Sequence, residues 1–132
     1  LDRLCAQLPQ PVRSRCRHVV RENARTLAAA DALRLGNLER FGKLMFESHA
    51  SLRDDYQVSS AELDVLVDTA AEIPGVLGAR MTGGGFGGCT VNLVRNDALE
   101  TASRRLSETY SKRFGREPNL FVTRAAGGAR ED

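Results

Sequence analysis

Val76-Leu77-Gly78-Ala79-Arg80-Met81-Thr82-Gly83-Gly84-Gly85-Phe86-Gly87-Gly88-Cys89-Thr90-Val91-Asn92-Leu93-Val94-Arg95 sets two short apolar runs around a glycine cluster. In the second run Cys89, Val91 and Leu93 alternate with Thr90 and Asn92, the period of a half-buried strand. Val76 to Met81 and Cys89 to Arg95 are therefore read as strands. Five of the chain's twelve glycines fall in the six positions Gly83 to Gly88. Glycine loses more freedom on folding than any other residue, so this concentration demands an unusual backbone. Without Cβ atoms the loop can take positive φ values, turn its amides toward one point and admit a phosphate or another loop. The alternative is an ordinary glycine-rich hairpin. Under the first reading a Cβ at Gly84 or Gly85 is expected to enter the closest approach.

Gly83, Gly85 and Gly88 formally satisfy G-x-G-x-x-G, yet a strand follows them where the dinucleotide fingerprint must open a helix. No Lys-Ser or Lys-Thr follows either, which excludes the Walker phosphate loop. The cluster reads as an accessory wall of a site rather than a main phosphate cradle.

Upstream, Val20, Ala24, Leu27 and Ala28 repeat with helical period in the segment from Gln10 to Leu35. Gly36 is placed to cap that helix and Asn37 to start the next, where Leu38, Phe41, Met45 and Leu52 share a face. The two helices are expected to form an antiparallel hairpin. Ser59 with Glu62 carries a capping-box signature for a third helix bearing Leu63, Leu66, Val67 and Ala70, which Pro74-Gly75 ends. Downstream, Asp97 with Glu100 is expected to open a fourth helix carrying Leu99, Ala102, Leu106 and Tyr110, closed by Gly115. Leu120 to Thr123 reads as a last strand. The order predicts an α+β fold: a helical hairpin plus a third helix packed on a small, largely antiparallel sheet. The weak point is the edge strand.

The chain has 132 residues, 42% of them hydrophobic and 27% charged, and a net charge of +2 that is spread along the sequence. Residues 1–132 are thus read as a single domain with no basic field for nucleic acid. No apolar run approaches the roughly 18 residues of a membrane span, and no targeting segment is recognised, so a cytoplasmic location without membrane contact is expected. Cys5, Cys16 and Cys89 are odd in number and lack C-x-x-C spacing, so they read as reduced thiols. Leu1 in place of Met, and the ending Glu131-Asp132, suggest a fragment.

Ser48-His49-Ala50-Ser51-Leu52-Arg53-Asp54-Asp55-Tyr56 gathers polar chemistry in nine residues. His49 can serve as a base and Asp54 with Asp55 as magnesium ligands. Equally, His49 follows Met45 by one helical turn, where a histidine is usually a satisfied core residue, and the two carboxylates can hold a turn and pair with Arg53. A Ser-His-Asp triad has no support beyond composition. His18 reads as structural or surface, and Cys89 as a small buried hydrophobe.

The run from Gly78 to Val91 resembles the third signature motif of the GHMP small-molecule kinases in its galactokinase form. Ser48 to Ser59, here SHASLRDDYQVS, resembles the galactokinase stretch that precedes that motif. Arg17-His18-Val19-Val20 with Glu22 and Arg25, and the closing Ala125-Ala126-Gly127-Gly128-Ala129, run in family order, so the resemblance covers almost the whole chain. It implies the ferredoxin-like C-terminal domain of an enzyme that uses ATP and Mg2+ to phosphorylate the 1-hydroxyl of galactose. It also implies an N-terminal kinase domain, outside this chain, that holds the sugar signature, the phosphate loop, the catalytic aspartate and arginine, and most contacts to ATP and Mg2+. No catalytic residue and no metal ligand is assigned here. Gly83, Gly84, Gly85, Phe86, Gly87 and Gly88 are implied to close the nucleotide and substrate site. The isolated chain is expected to be inactive and to expose an apolar face that its partner domain covers. An N-acetylgalactosamine kinase, a galactokinase-like sugar sensor and a freestanding α+β binding module stand as alternatives.

Overall fold

The computed structural model describes residues 7–124 and 127. Cys5, the chain ends and most of the Ala125 to Ala129 run lie outside the described residues. Helix α1 spans Val12–Arg34 and α2 spans Leu38–Ser51, followed by a π-helical turn Leu52–Tyr56. Then come α3 (Ala61–Ala71), β1 (Val76–Thr82), β2 (Cys89–Val94), a 3-10 turn Asn96–Ala98 and α4 (Leu99–Phe114). Among the described residues, four helices pack on a two-stranded antiparallel sheet, an α+β arrangement.

The hairpin forms as its punctuation dictates. Gly36 takes a left-handed φ of 66°, its N–H donates to Leu33 O, and the Asn37 N–H donates to Ala32 O. These two bonds satisfy carbonyls at the end of α1. The Asn37 side chain then accepts from the Arg40 N–H at 3.0 Å and caps α2. The buried face of α1 differs from the predicted one. Ser14, His18 and Ala32 are buried while Leu27 is exposed, because α1 leans on α2 and the π turn through polar groups.

The apolar core lies between α3, α4 and β1, where Val67, Ala70, Ile73, Ala79, Ala102 and Leu106 meet. β1 and β2 pair from Val76 opposite Val94 to Thr82 opposite Cys89, with an irregularity at Leu77. At that place α2 meets β1 backbone to backbone. A Cβ on Gly42 would lie 1.9 Å from Leu77 O, and one on Gly78 would lie 2.4 Å from the Gly42 Cα. Neither contact leaves room for a side chain.

Three expectations need correction. Ser60, not Ser59, caps α3, accepting from the Leu63 N–H at 3.4 Å, and Ser59 instead donates to Asp64 Oδ1 at 2.6 Å. Asp97 does not cap α4. Arg95 donates to it at 3.1 and 2.8 Å, and the 3-10 turn delivers the chain to α4 without a side-chain cap. Leu120 to Thr123 forms no strand. It runs exposed past the end of α4, with Phe121 85% and Val122 64% accessible, because its backbone pairs with neither β1 nor β2.

Alanine has the higher helix propensity by about 1 kcal/mol, so Gly42→Ala would stabilise α2 if the position were free. The Leu77 carbonyl reverses the sign: overpacking of this kind costs about 3 kcal/mol. Gly42→Ala in the intact protein should therefore lower the thermal unfolding midpoint by several degrees. Gly36→Ala, which meets only its own positive φ, should cost about 1 kcal/mol. Equal midpoints for Gly42→Ala and wild type would show that α2 can lift off β1 freely.

Candidate functional site

The Gly83 to Gly88 loop joins the last residue pair of the sheet, Thr82 and Cys89. Gly83, Gly85, Phe86, Gly87 and Gly88 all have positive φ, from 58° at Phe86 to 129° at Gly87. Four of these five positions are glycine, as that backbone requires. Phe86 is the exception, with a left-handed conformation that costs on the order of 1 kcal/mol and a ring 79% exposed.

The loop is held from beneath. The Phe86 N–H donates to Val58 O at 2.8 Å, and a Cβ on Gly85 would lie 2.0 Å from that same oxygen. At Gly84, by contrast, a Cβ would find nothing among the described residues within 4 Å, and the φ there is not left-handed. Within this chain, then, the close approach is at Gly85. Of the two readings of the cluster, loop packing is the one seen, since an ordinary hairpin needs no such anchor.

Val58 is presented by the Ser48 to Ser59 stretch. The π turn Leu52–Tyr56 ends at Gln57, whose φ of 62° turns the chain, and the Val58 N–H donates back to Leu52 O at 3.1 Å. Asp54 and Asp55 do not converge. Arg53 holds Asp54 at 2.8 and 3.3 Å, while Asp55 accepts from Arg17 of α1, with Nε at 3.1 Å. His18 is buried, lies 2.9 Å from Ser51 Oγ through Nδ1, and stacks on Tyr56 with ring centroids 4.6 Å apart. Burial pulls the His18 pKa down, and Arg25 adds to that, which suits a neutral structural ring.

His49 is buried, 1% accessible. Its Nδ1 lies 3.2 Å from the Met81 amide nitrogen and its Nε2 lies 3.2 Å from Asp64 Oδ1. An amide can only donate, so Nδ1 accepts and the proton sits on Nε2, donating to Asp64. Burial lowers the His49 pKa while the Asp64 carboxylate acts in the opposite direction, and the neutral ring prevails. Of its two readings the satisfied core residue is the one observed, with both ring nitrogens engaged by protein groups. Cys89 is an exposed thiol at the end of β2, not the buried hydrophobe expected, because its side lies outside the α3 and α4 layer.

Glu22 and Arg25 line a cavity of about 330 Å3 between α1, α2 and the sheet, with Phe41, Leu44, Met45, Arg80, Val91 and Leu93. Glu22 accepts from Ser48 Oγ at 2.6 Å and pairs with Arg25. Sequence reasoning misses Gly42 and the Asp64 link. Gly42 sits in a helix pattern with nothing beside it to mark it, whereas the capping-box spacing directs attention from Ser59 to Glu62 and past Asp64.

The GHMP kinases C terminal family matches residues 29–112. Among curated relatives, the galactokinase of Roseiflexus sp. (strain RS-1) is 51% identical over 96% of this chain and 33% of that protein. The crystal structure of Lactococcus lactis galactokinase complexed with galactose superposes with a TM-score of 0.80 at 46% identity, over 83% of this chain and 28% of that one. The structure of L. major mevalonate kinase in complex with R-mevalonate follows with a TM-score of 0.66 at 31% identity, over 75% of this chain and 30% of that one. The chain thus spans about a third of the length of the curated relatives it matches. With its two strands, anchored glycine loop and four helices on the page, and with that family match and those superpositions, the chain belongs to the GHMP kinase C-terminal domain family.

Proposed function

We propose that this chain is the C-terminal domain of a galactokinase, a cytoplasmic enzyme that transfers the γ-phosphate of ATP to the 1-hydroxyl of galactose, and that residues 1–132 form one domain whose partner is an N-terminal kinase domain. The observation that carries the reading is the Gly83 to Gly88 loop pinned on the Val58 carbonyl, in a chain half identical to galactokinases. Phosphoryl transfer depends on groups placed on two sides of a cleft before reaction, and a loop locked at its centre with open space at Gly83, Gly84 and Gly87 is built to be one such wall.

The loop backbone fits an anion such as the ATP phosphates, since glycines bring amides close without side chains between. The Phe86 amide is committed to Val58 and is not among the donors. When bound, ATP supplies the phosphoryl group; this chain contributes shape and amide dipoles beside it. Asp54 and Asp55, the two carboxylates considered as magnesium ligands, are each held by an arginine and do not converge. The reading therefore gives the ion and the catalytic groups to the partner domain.

Several features support a partner against the 330 Å3 cavity side and the Leu120 to Val122 segment. Asn92 lines the cavity and its Oδ1 is buried without a hydrogen-bond partner among the described residues. The second edge of β2 is unpaired among those residues, Val91 is exposed there, and Leu120, Phe121 and Val122 stand in solvent. Among the described residues no helix is long and apolar enough to cross a membrane.

The deciding experiment is ADP release by the full-length protein with ATP and magnesium, comparing galactose, N-acetylgalactosamine and no sugar. Galactose-dependent turnover is expected, and turnover only with N-acetylgalactosamine, or with neither sugar, would replace the reading by one of its alternatives. This chain alone should show no galactose phosphorylation. In the full-length protein Gly85→Val should lower turnover by about 100-fold, because it drives the loop off Val58. Gly84→Val should cost far less unless the partner domain touches that position, and equal losses at both would locate such a contact.

A further inference from the structure

The His49 side chain sits at a junction that the proposed chemistry does not use. One ring nitrogen reaches β1 at Met81, two residues before Gly83; the other reaches α3 at Asp64. Asp64 Oδ1 also accepts from Ser59 Oγ at 2.6 Å, and Ser59 directly follows Val58, whose carbonyl anchors the loop at Phe86. The glycine loop is therefore gripped at its entry and at its centre by two arms of one hydrogen-bonded network. Loop, π-turn exit and helix N-terminal turn are fixed to one another through three side chains, those of His49, Asp64 and Ser59.

We propose that His49 and Asp64 are positioning residues for the Gly83 to Gly88 loop, setting its height over the Val58 carbonyl rather than taking part in proton transfer. The proposal rests on the reading of that loop as a wall of the kinase site. The geometry makes the network directional. Met81 N–H can only donate and Asp64 Oδ1 receives two donors, so a ring with one proton, on Nε2, completes every bond. A doubly protonated ring would set an N–H against the Met81 N–H. His49 therefore acts as a strut, and loss of either end releases one arm. Arg53 and Asp68 also face the ring, yet they act on it through their charge alone, so the strut's two ends are Met81 and Asp64.

The test uses the full-length protein and two readouts: hydrogen–deuterium exchange of the 82–88 peptide, and kcat with the KM for galactose and for ATP. His49→Ala and Asp64→Ala should speed exchange across 82–88 and lower kcat by about 10- to 100-fold, the cost of an ångström-scale displacement, with KM for galactose within about 2-fold of wild type. Asp64→Asn keeps an Oδ1 acceptor for both donors and should restore exchange and kcat to near wild type. Ser59→Ala, which cuts one peripheral bond, should give a smaller change in the same direction and serves where the alanine variants do not fold. Unchanged exchange in Ser59→Ala and His49→Ala would overturn the proposal, as would an Asp64→Asn protein damaged as badly as Asp64→Ala. A wild-type protein without galactose turnover would defeat the kinase reading alone, since the exchange measurement still decides whether the network positions the loop.

Discussion

The contact on which the rest of this domain depends is the meeting of two backbones at Gly42 and Gly78. Helices ordinarily pack at about 8–10 Å from their neighbours because side chains stand between them. Here both partners lack a side chain, and the Leu77 carbonyl occupies the space a Cβ at Gly42 would take. The consequence is geometric before it is energetic. With α2 drawn in to that depth, its last turn brings His49 within hydrogen-bond reach of the Met81 amide, and the π turn that follows delivers Val58 beneath the glycine loop.

The loop itself shows how strain is distributed. Positive φ at every loop residue but Gly84 carries an entropic cost that nothing inside the loop offsets, since its side chains are absent or, at Phe86, in solvent. What holds it is outside: one carbonyl at Val58, fixed by the turn from Leu52, which is tied in turn to α1 by Arg17 on Asp55 and by the His18 and Tyr56 stack. A chain of short polar links thus runs from the first helix to the loop. It explains why the face of α1 toward the π turn is polar where periodicity alone predicts an apolar stripe.

The hairpin, the third helix, both strands and the loop are legible because each is marked by local chemistry: Gly36-Asn37, Pro74-Gly75, the alternation at Cys89 to Leu93 and the glycine run. What escapes is set by partners distant in sequence. Leu120 to Thr123 has the composition of a strand but pairs with neither β1 nor β2, and a strand is a property of the pair. Ser59 looks like a cap because it stands three residues before Glu62, yet Asp64 takes its hydroxyl and leaves Ser60 to cap the helix. Asp54 and Asp55 look like one carboxylate pair and serve two arginines on different elements. In the candidate site, the glycines can be read, while the side chains that hold them cannot.

The likeness to a mevalonate kinase bears on where selectivity can reside. The relatives named for galactose and for mevalonate share this fold at 46% and 31% identity to the chain, while their named substrates have little in common beyond a hydroxyl. A scaffold retained across such different substrates is suited to the part of the reaction they would share, the phosphoryl group and its surroundings. The structure is consistent with that division on physical grounds. Its loop offers backbone amides and shape, which suit an anion. Under the proposed function the choice of substrate would then fall to the partner domain, and this chain would contribute a wall placed by Gly42, His49 and Val58.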